Sequence, residues 1–366
     1  MTQNNILKLA KAAPVLIWGP PGVGKSAAVV SAARAEDLHV EVVIASIREP
    51  QDFIGLPVIN GRIADDVHVS GSDSLVSYAP PGWAKRLAKA GGGVLFLDEI
   101  TTAPPAVQAA LLRVVLDRVV GDLPLPQEIL IIAAANPPEI AAGGWDLAPP
   151  LANRFIHLQW TVEPEDWANR FPAYWGSPPQ LPGINPQTWE RTRSLVAAFI
   201  RRRPELLLQL PREADAQGRA WPSPRTWDFA SRVLALMDLD PLAAAEGIAG
   251  AVGEGPGMEF VNWAREQDLP DPEELLRKSE KFRLSGRGDR DFAVLSSIAA
   301  AVCREVTEER WRAAWRIFAK AAQDGAADVA AAAVREVAAL RRKHPELPLP
   351  KEEVRAFLPL LQGGDE

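Results

Sequence analysis

The chain has 366 residues, more than one hydrophobic core usually organises, so two or three domains are expected. Its formal net charge of −7 argues against a broad nucleic-acid-binding face, and its single cysteine, Cys303, excludes a disulfide scaffold or a cysteine-rich metal site. No apolar run approaches the ~18 residues of a membrane span. The apolar stretch from Ala12 to Trp18 runs straight into a glycine-rich loop, so it does not read as a signal peptide, and a cytoplasmic location is expected.

The first predicted strand is Val15–Trp18. It leads into Gly19-Pro20-Pro21-Gly22-Val23-Gly24-Lys25-Ser26, an unbroken G-x-x-x-x-G-K-S, and then into helix-prone Ala27-Ala28-Val29-Val30. Strand, glycine-rich loop and helix in this order form an anion nest, because tight turns aim backbone N–H groups inward and the helix start adds its positive dipole end. Gly19, Pro21, Gly22, Val23, Gly24, Lys25, Ser26 and Ala27 are therefore candidates for holding a nucleoside triphosphate. Lys25 can reach the β- and γ-phosphate oxygens, and the Ser26 hydroxyl can ligate Mg²⁺.

A second strand is predicted over Val40–Ala45. Between Arg48 and Trp83 the run Pro57-Val58-Ile59-Asn60-Gly61-Arg62-Ile63 sets Asn-Gly between β-prone residues, which predicts a two-residue hairpin turn. An exposed polar loop through Asp65-Asp66 and Ser70-Gly71-Ser72-Asp73-Ser74 follows. Val94-Leu95-Phe96-Leu97-Asp98-Glu99 is an apolar run ending in two carboxylates and suits a central parallel strand buried on both faces. Asp98 at its carboxyl end can hold Mg²⁺ opposite Ser26, and Glu99 can polarise the attacking water. Thr101 or Thr102, ahead of Pro104-Pro105, is expected to cap the next helix. With no Asn-Lys-x-Asp stretch to read guanine and no kinase-type His-Arg-Asp, ATP is the expected nucleotide.

A short ribbon is expected over Arg118-Val119-Val120-Gly121-Asp122-Leu123, and strands over Ile129–Ala135 and Phe155–Trp160. Asn136 ends the former, where its amide can hold the attacking water or the γ-phosphate. Alternation of such strands with helical stretches predicts an α/β domain with a parallel sheet. Beyond Trp160, Trp167, Trp175, Trp189, Trp221, Trp227 and Trp263 crowd a mostly helical segment, a density that marks core packing rather than a base-stacking platform. Ser223 and Pro224 read as the cap and first residue of a helix, so Arg225 places a cation against the dipole unless an anion is near. After Leu269-Pro270-Asp271-Pro272, helices are predicted at Asp291–Glu305, with Asp291 as cap, Glu308–Gln323 and Ala326–Arg342. Phe292, Leu295, Ile298, Ala299 and Val302 give the first a buried stripe, and Cys303 beside it reads as a structural thiol.

The order of these motifs, with Leu151-Ala152-Asn153-Arg154-Phe155 and Ser223-Pro224-Arg225-Thr226-Trp227, resembles an AAA+ ATPase of the MoxR branch from about residue 5 to about residue 235. The resemblance implies an α/β core with a five-stranded sheet ordered 5-1-4-3-2 over residues 1–162, with an insert hairpin (about 57–78) within its second helix. It also implies an all-α lid over 163–268 carrying Arg225 as sensor 2, with a helical C-terminal region over 269–366. Such inserts face the central channel in related rings; a plain surface hairpin fits these residues equally. Asn136 takes the place of sensor 1, and Arg154 that of an arginine finger reaching into the neighbouring subunit. The implied function is ATP hydrolysis with Mg²⁺ in a homo-oligomeric ring, a hexamer by analogy, that remodels a partner protein. MoxR-like ATPases commonly work with a separate von Willebrand factor A domain protein. An ATP-gated scaffold with little turnover and a DNA-acting motor are the alternatives, the latter disfavoured by the acidic charge.

Overall fold

The computed structural model describes residues 3–60, 75–137, 144–176 and 178–357. The chain divides into two compact units, Met1–Thr161 and Val162–Glu366.

The described strands of the first unit are β1 (Val15–Trp18), β2 (Val40–Ile44), β3 (Leu56–Asn60), β4 (Leu75–Ala79), β5 (Gly93–Asp98), β6 (Val119–Val120), β7 (Leu123–Pro124), β8 (Ile129–Ala135) and β9 (Ile156–Gln159). Five of them form one parallel sheet in the order β2-β5-β8-β1-β9. Counted along that sheet alone, this is 5-1-4-3-2, as the family resemblance implies. The apolar runs explain the centre: every residue of β8 and all of β5 before Asp98 are buried, as a parallel sheet covered on both faces requires. Successive side chains alternate between two cores. Leu16, Leu95, Leu97, Ile131 and Ala133 face one with Leu111, Val114 and Trp83, while Val15, Ile17, Val94, Phe96 and Ile132 face the other with Ile6, Val29 and Ala33.

Two local expectations fail here. The strand leading to Asn60 does not turn at Asn60-Gly61: Ile59 pairs with Val76 and Asn60 with Leu75, so β3 and β4 are joined by residues 61–74, which lie outside the described residues. The polar-loop residues Asp65, Asp66, Ser70 and Asp73 fall there too. The ribbon does stand between the helices Gln51–Ile54 and Gly82–Ala90. Its base is tied to the β6–β7 turn by Tyr78 N to Asp122 Oδ2 (2.6 Å) and Asp122 N to Tyr78 O (3.0 Å), and the same turn reaches the helix Gln51–Ile54 through Gly121 N to Phe53 O (3.2 Å). Neither Thr101 nor Thr102 caps the helix Pro105–Asp117, whose cap position is Pro104 with no side-chain bond. Thr101 is buried, and Thr102 Oγ1 donates back to Glu99 O (2.8 Å) because the chain after Glu99 makes a short 3₁₀ turn first.

The second unit is helical. Ser223 caps Pro224–Leu236 through a reciprocal box with Thr226. Trp167, Trp189, Trp227 and Trp263 are buried, and Trp227 Nε1 donates to Leu206 O (2.7 Å). The helix Gly288–Arg304 begins earlier than expected, with Arg287 at the cap position. Asp291 sits inside the first turn and accepts from Ser285 N and Oγ. All five stripe residues are buried, but they serve two cores: Phe292 packs with Phe199, Trp227 and Phe260, whereas Leu295, Ile298, Ala299 and Val302 pack with Trp311, Trp315 and Phe318. One helix thus packs into the cores of both expected regions, and 163–268 and 269–366 share a unit. Cys303 is half-buried in the last turn of that helix, and burial pushes its thiol up to about 12.

Candidate nucleotide-binding site

Residues Gly19 to Gly24 connect β1 to the helix Lys25–Ala35. Gly24 at the cap position has φ +88°, a left-handed conformation that only glycine adopts freely, and it lets the loop close onto the helix start. The helix has no side-chain cap, so its first N–H groups remain directed at the loop's concavity. Gly19 N donates to Ala135 O (3.2 Å), and Trp160 Nε1 donates to Val23 O (3.2 Å), so both arms of the loop are held by neighbouring strands.

Lys25 is buried, and its ammonium donates to Gly19 O (2.6 Å), Pro20 O (2.9 Å) and Asn136 Oδ1 (2.9 Å). Ser26 Oγ donates to Asp98 Oδ2 (2.6 Å), and Asp98 Oδ1 accepts from Glu99 N (3.0 Å). Glu99 lies in the left-handed region at φ +56°, which turns its carboxylate away from the strand axis and toward Ser46, whose Oγ donates to Oε2 (2.5 Å). Lys25, Ser26, Asp98, Glu99 and Asn136 thus meet at the carboxyl ends of β1, β5 and β8, where open α/β sheets bind ligands. A hydroxyl and a carboxylate oxygen 2.6 Å apart form an oxygen-donor pair suited to Mg²⁺, which takes one or two protein carboxylates and completes its shell with phosphate and water. The loop and Lys25 fit the triphosphate.

Two expected residues make no hydrogen bond or ion pair with this cluster among the described residues. Arg154 is exposed in the turn between the helix Pro149–Ala152 and β9, and its guanidinium has no hydrogen-bond or ion-pair partner among the described residues. Arg225 is exposed in the first turn of Pro224–Leu236, in the second unit. Sequence reasoning missed Ser46 and Trp160. The signal for Ser46 was the strand order: Ile44 pairs with Asp98, so the residues just past β2 must approach Glu99.

A parallel sheet in this order, with the phosphate loop after β1 and the acidic pair at the end of β5, defines a P-loop nucleotide-binding domain of the AAA+ type. Residues 14–155 match the AAA domain (dynein-related subfamily), so the first unit carries an AAA domain. The chain is 36% identical over 132 residues to the Psp operon transcriptional activator of Escherichia coli, covering 34% of this chain and 37% of that protein. It is 34% identical over 131 residues to the transcriptional regulatory protein XylR of Pseudomonas putida, covering 33% of this chain and 21% of that one. The chain therefore spans about a third and about a fifth of the length of these two relatives. Among solved structures it is similar to the RuvB Holliday junction branch migration motor of Thermotoga maritima (TM-score 0.35, 16% identity, 85% of this chain and 84% of that one). Another is NtrX of Brucella abortus (TM-score 0.32, 17% identity, 94% and 68%).

Proposed function

We propose that this protein hydrolyses ATP at the subunit junctions of a ring, as a MoxR-type ATPase that remodels or activates a partner protein. The observation that carries the reading is the linked set Lys25–Asn136, Ser26–Asp98 and Glu99 at one end of the sheet. Backbone N–H groups of the loop and Lys25 would bind the phosphates. Ser26 and Asp98 would hold Mg²⁺, which would supply neutralisation of the phosphate charge when bound. Glu99 accepts the proton of the attacking water, and Asn136 orients that water or the γ-phosphate. Arg154, exposed and unpaired among the described residues, acts in the neighbouring subunit's site, and Arg225 contacts the nucleotide of its own subunit. The ring is a homo-oligomer, a hexamer by family analogy, and its partner a separate von Willebrand factor A domain protein. The AAA domain itself supports ATP turnover over a passive ATP-gated scaffold, and Glu99 in place supports it further.

The test is Glu99→Gln. This variant should bind ATP within about threefold of wild type, because Lys25, Ser26 and Asp98 are untouched. Phosphate release should fall by ~10²–10⁴, the usual worth of a positioned general base. Phosphate release equal to wild type would remove Glu99 from its role.

A further inference from the structure

We infer that His157 is a positioning residue that ties the entry of the phosphate loop to the turn presenting Arg154. His157 lies on β9 opposite Leu16 of β1, so Trp18 is its diagonal neighbour on the same face. The two rings stack with centroids 6.0 Å apart and planes 22° from parallel. Trp18 Nε1 donates to His157 Nδ1 (2.9 Å). An indole N–H is donor only, so Nδ1 accepts and the ring proton sits on Nε2, which donates to Ala152 O (2.9 Å). Both ring nitrogens are used, which fixes one tautomer and one ring orientation.

The second acceptor is what links the bond to function. Ala152 O also accepts from Phe155 N (3.2 Å) and so closes the turn that contains Asn153 and Arg154. At the other end Trp18 is followed directly by Gly19, whose carbonyl accepts from Lys25 Nζ (2.6 Å). A continuous bonded path therefore runs from the Arg154 turn through His157 and Trp18 to the lysine of the phosphate loop. An exposed position on an edge strand needs no such residue for packing, and any β-former would serve the sheet there. His157 is what makes the loop's entry and the arginine's turn move together.

The inference rests on the reading that Arg154 serves the neighbouring subunit, and its test separates the two. Mixed rings of Glu99→Gln and Arg154→Ala subunits should regain turnover, because some junctions join an intact Glu99 to an intact Arg154. Adding His157→Phe to the Glu99→Gln subunit keeps a stacked ring but deletes both bonds at the arginine donor. The regained turnover should then fall at least ~5-fold, and His157→Gln, whose amide can accept from Trp18 and donate to Ala152, should restore it to within ~2-fold. An unchanged regain with His157→Phe, or a Gln variant no better than Phe, overturns the inference. If the unmodified mixture stays inactive, the shared-site reading fails instead, and amide exchange decides for His157. Trp18→Phe, which removes the indole donor while keeping an aromatic ring, should speed exchange in residues 152–156 at least ~5-fold. Unchanged exchange there overturns the link whatever Arg154 does.

Discussion

Glu99 is held at φ +56°, ψ +41°, and this backbone can be tested apart from its carboxylate by comparing Glu99→Ala with Glu99→Gly. Both variants lose the carboxylate and the Ser46 bond, and both keep the bonds that the backbone of residue 99 makes, from Glu99 N to Asp98 Oδ1 and from Thr102 N to Glu99 O. They differ only by a Cβ. In the left-handed region that Cβ crowds its own carbonyl, at a cost of about 1–2 kcal/mol. Glycine returns about 0.4–1 kcal/mol of this through the larger freedom of its unfolded chain. The net expectation is that Glu99→Gly is more stable than Glu99→Ala by about 0.5–1 kcal/mol, the reverse of the order expected in a helix or strand. With an m-value of about 2 kcal/mol/M, the urea midpoint of the first unit should differ by about 0.25–0.5 M. Neither variant should release phosphate above background. Equal midpoints, or alanine the more stable, would mean that no strain is stored at Glu99. The argument that the site's acidic residue is aimed by a costly backbone turn would then fall.

Asn136→Ala removes the Asn136 Oδ1 acceptor of the Lys25 ammonium but leaves Gly19 O and Pro20 O. ATP affinity by titration should stay within about threefold while single-turnover hydrolysis drops by about 10²-fold, as for other lost transition-state contacts. Gly121→Ala should destabilise the first unit by about 2–3 kcal/mol in urea unfolding, since φ is +61° and the new Cβ would lie 2.5 Å from Tyr78 O. In the second unit the Arg310 hydrogen bond holds the Glu273 carboxyl below its ordinary value of 4.5, with Arg304 adding to the effect. A lowered carboxylate stabilises the fold above its unfolded value and loses that contribution as pH falls through the lower folded value. Urea midpoints measured from pH 6 down to pH 3 should therefore fall less steeply in Glu273→Gln than in wild type, although the variant is weaker at pH 6.

What could be read from the residues alone was whatever a short segment decides by itself. Gly19 to Ser26 encode a turn, a dipole and a lysine within eight positions, and Val94 to Asp98 announce a strand buried on both faces. Packing decided the rest. Asn60-Gly61 is a good turn signal, yet β3 continues to Asn60 and pairs with β4, whose Tyr78 is bonded from outside by Asp122 through both its N–H and its carbonyl. Thr102 looked like a helix cap because its neighbours are prolines; it is drawn instead to Glu99 O by the left-handed turn at Glu99. Phe292 was legible as a buried position but not as a member of the Trp227 core, since periodicity names a face and not the helix that will cover it. The same distinction explains His157. Its residue type carries no signal on an exposed edge strand, and only the parallel register of β1 and β9 brings it to Trp18, from which it can hold the turn before Arg154.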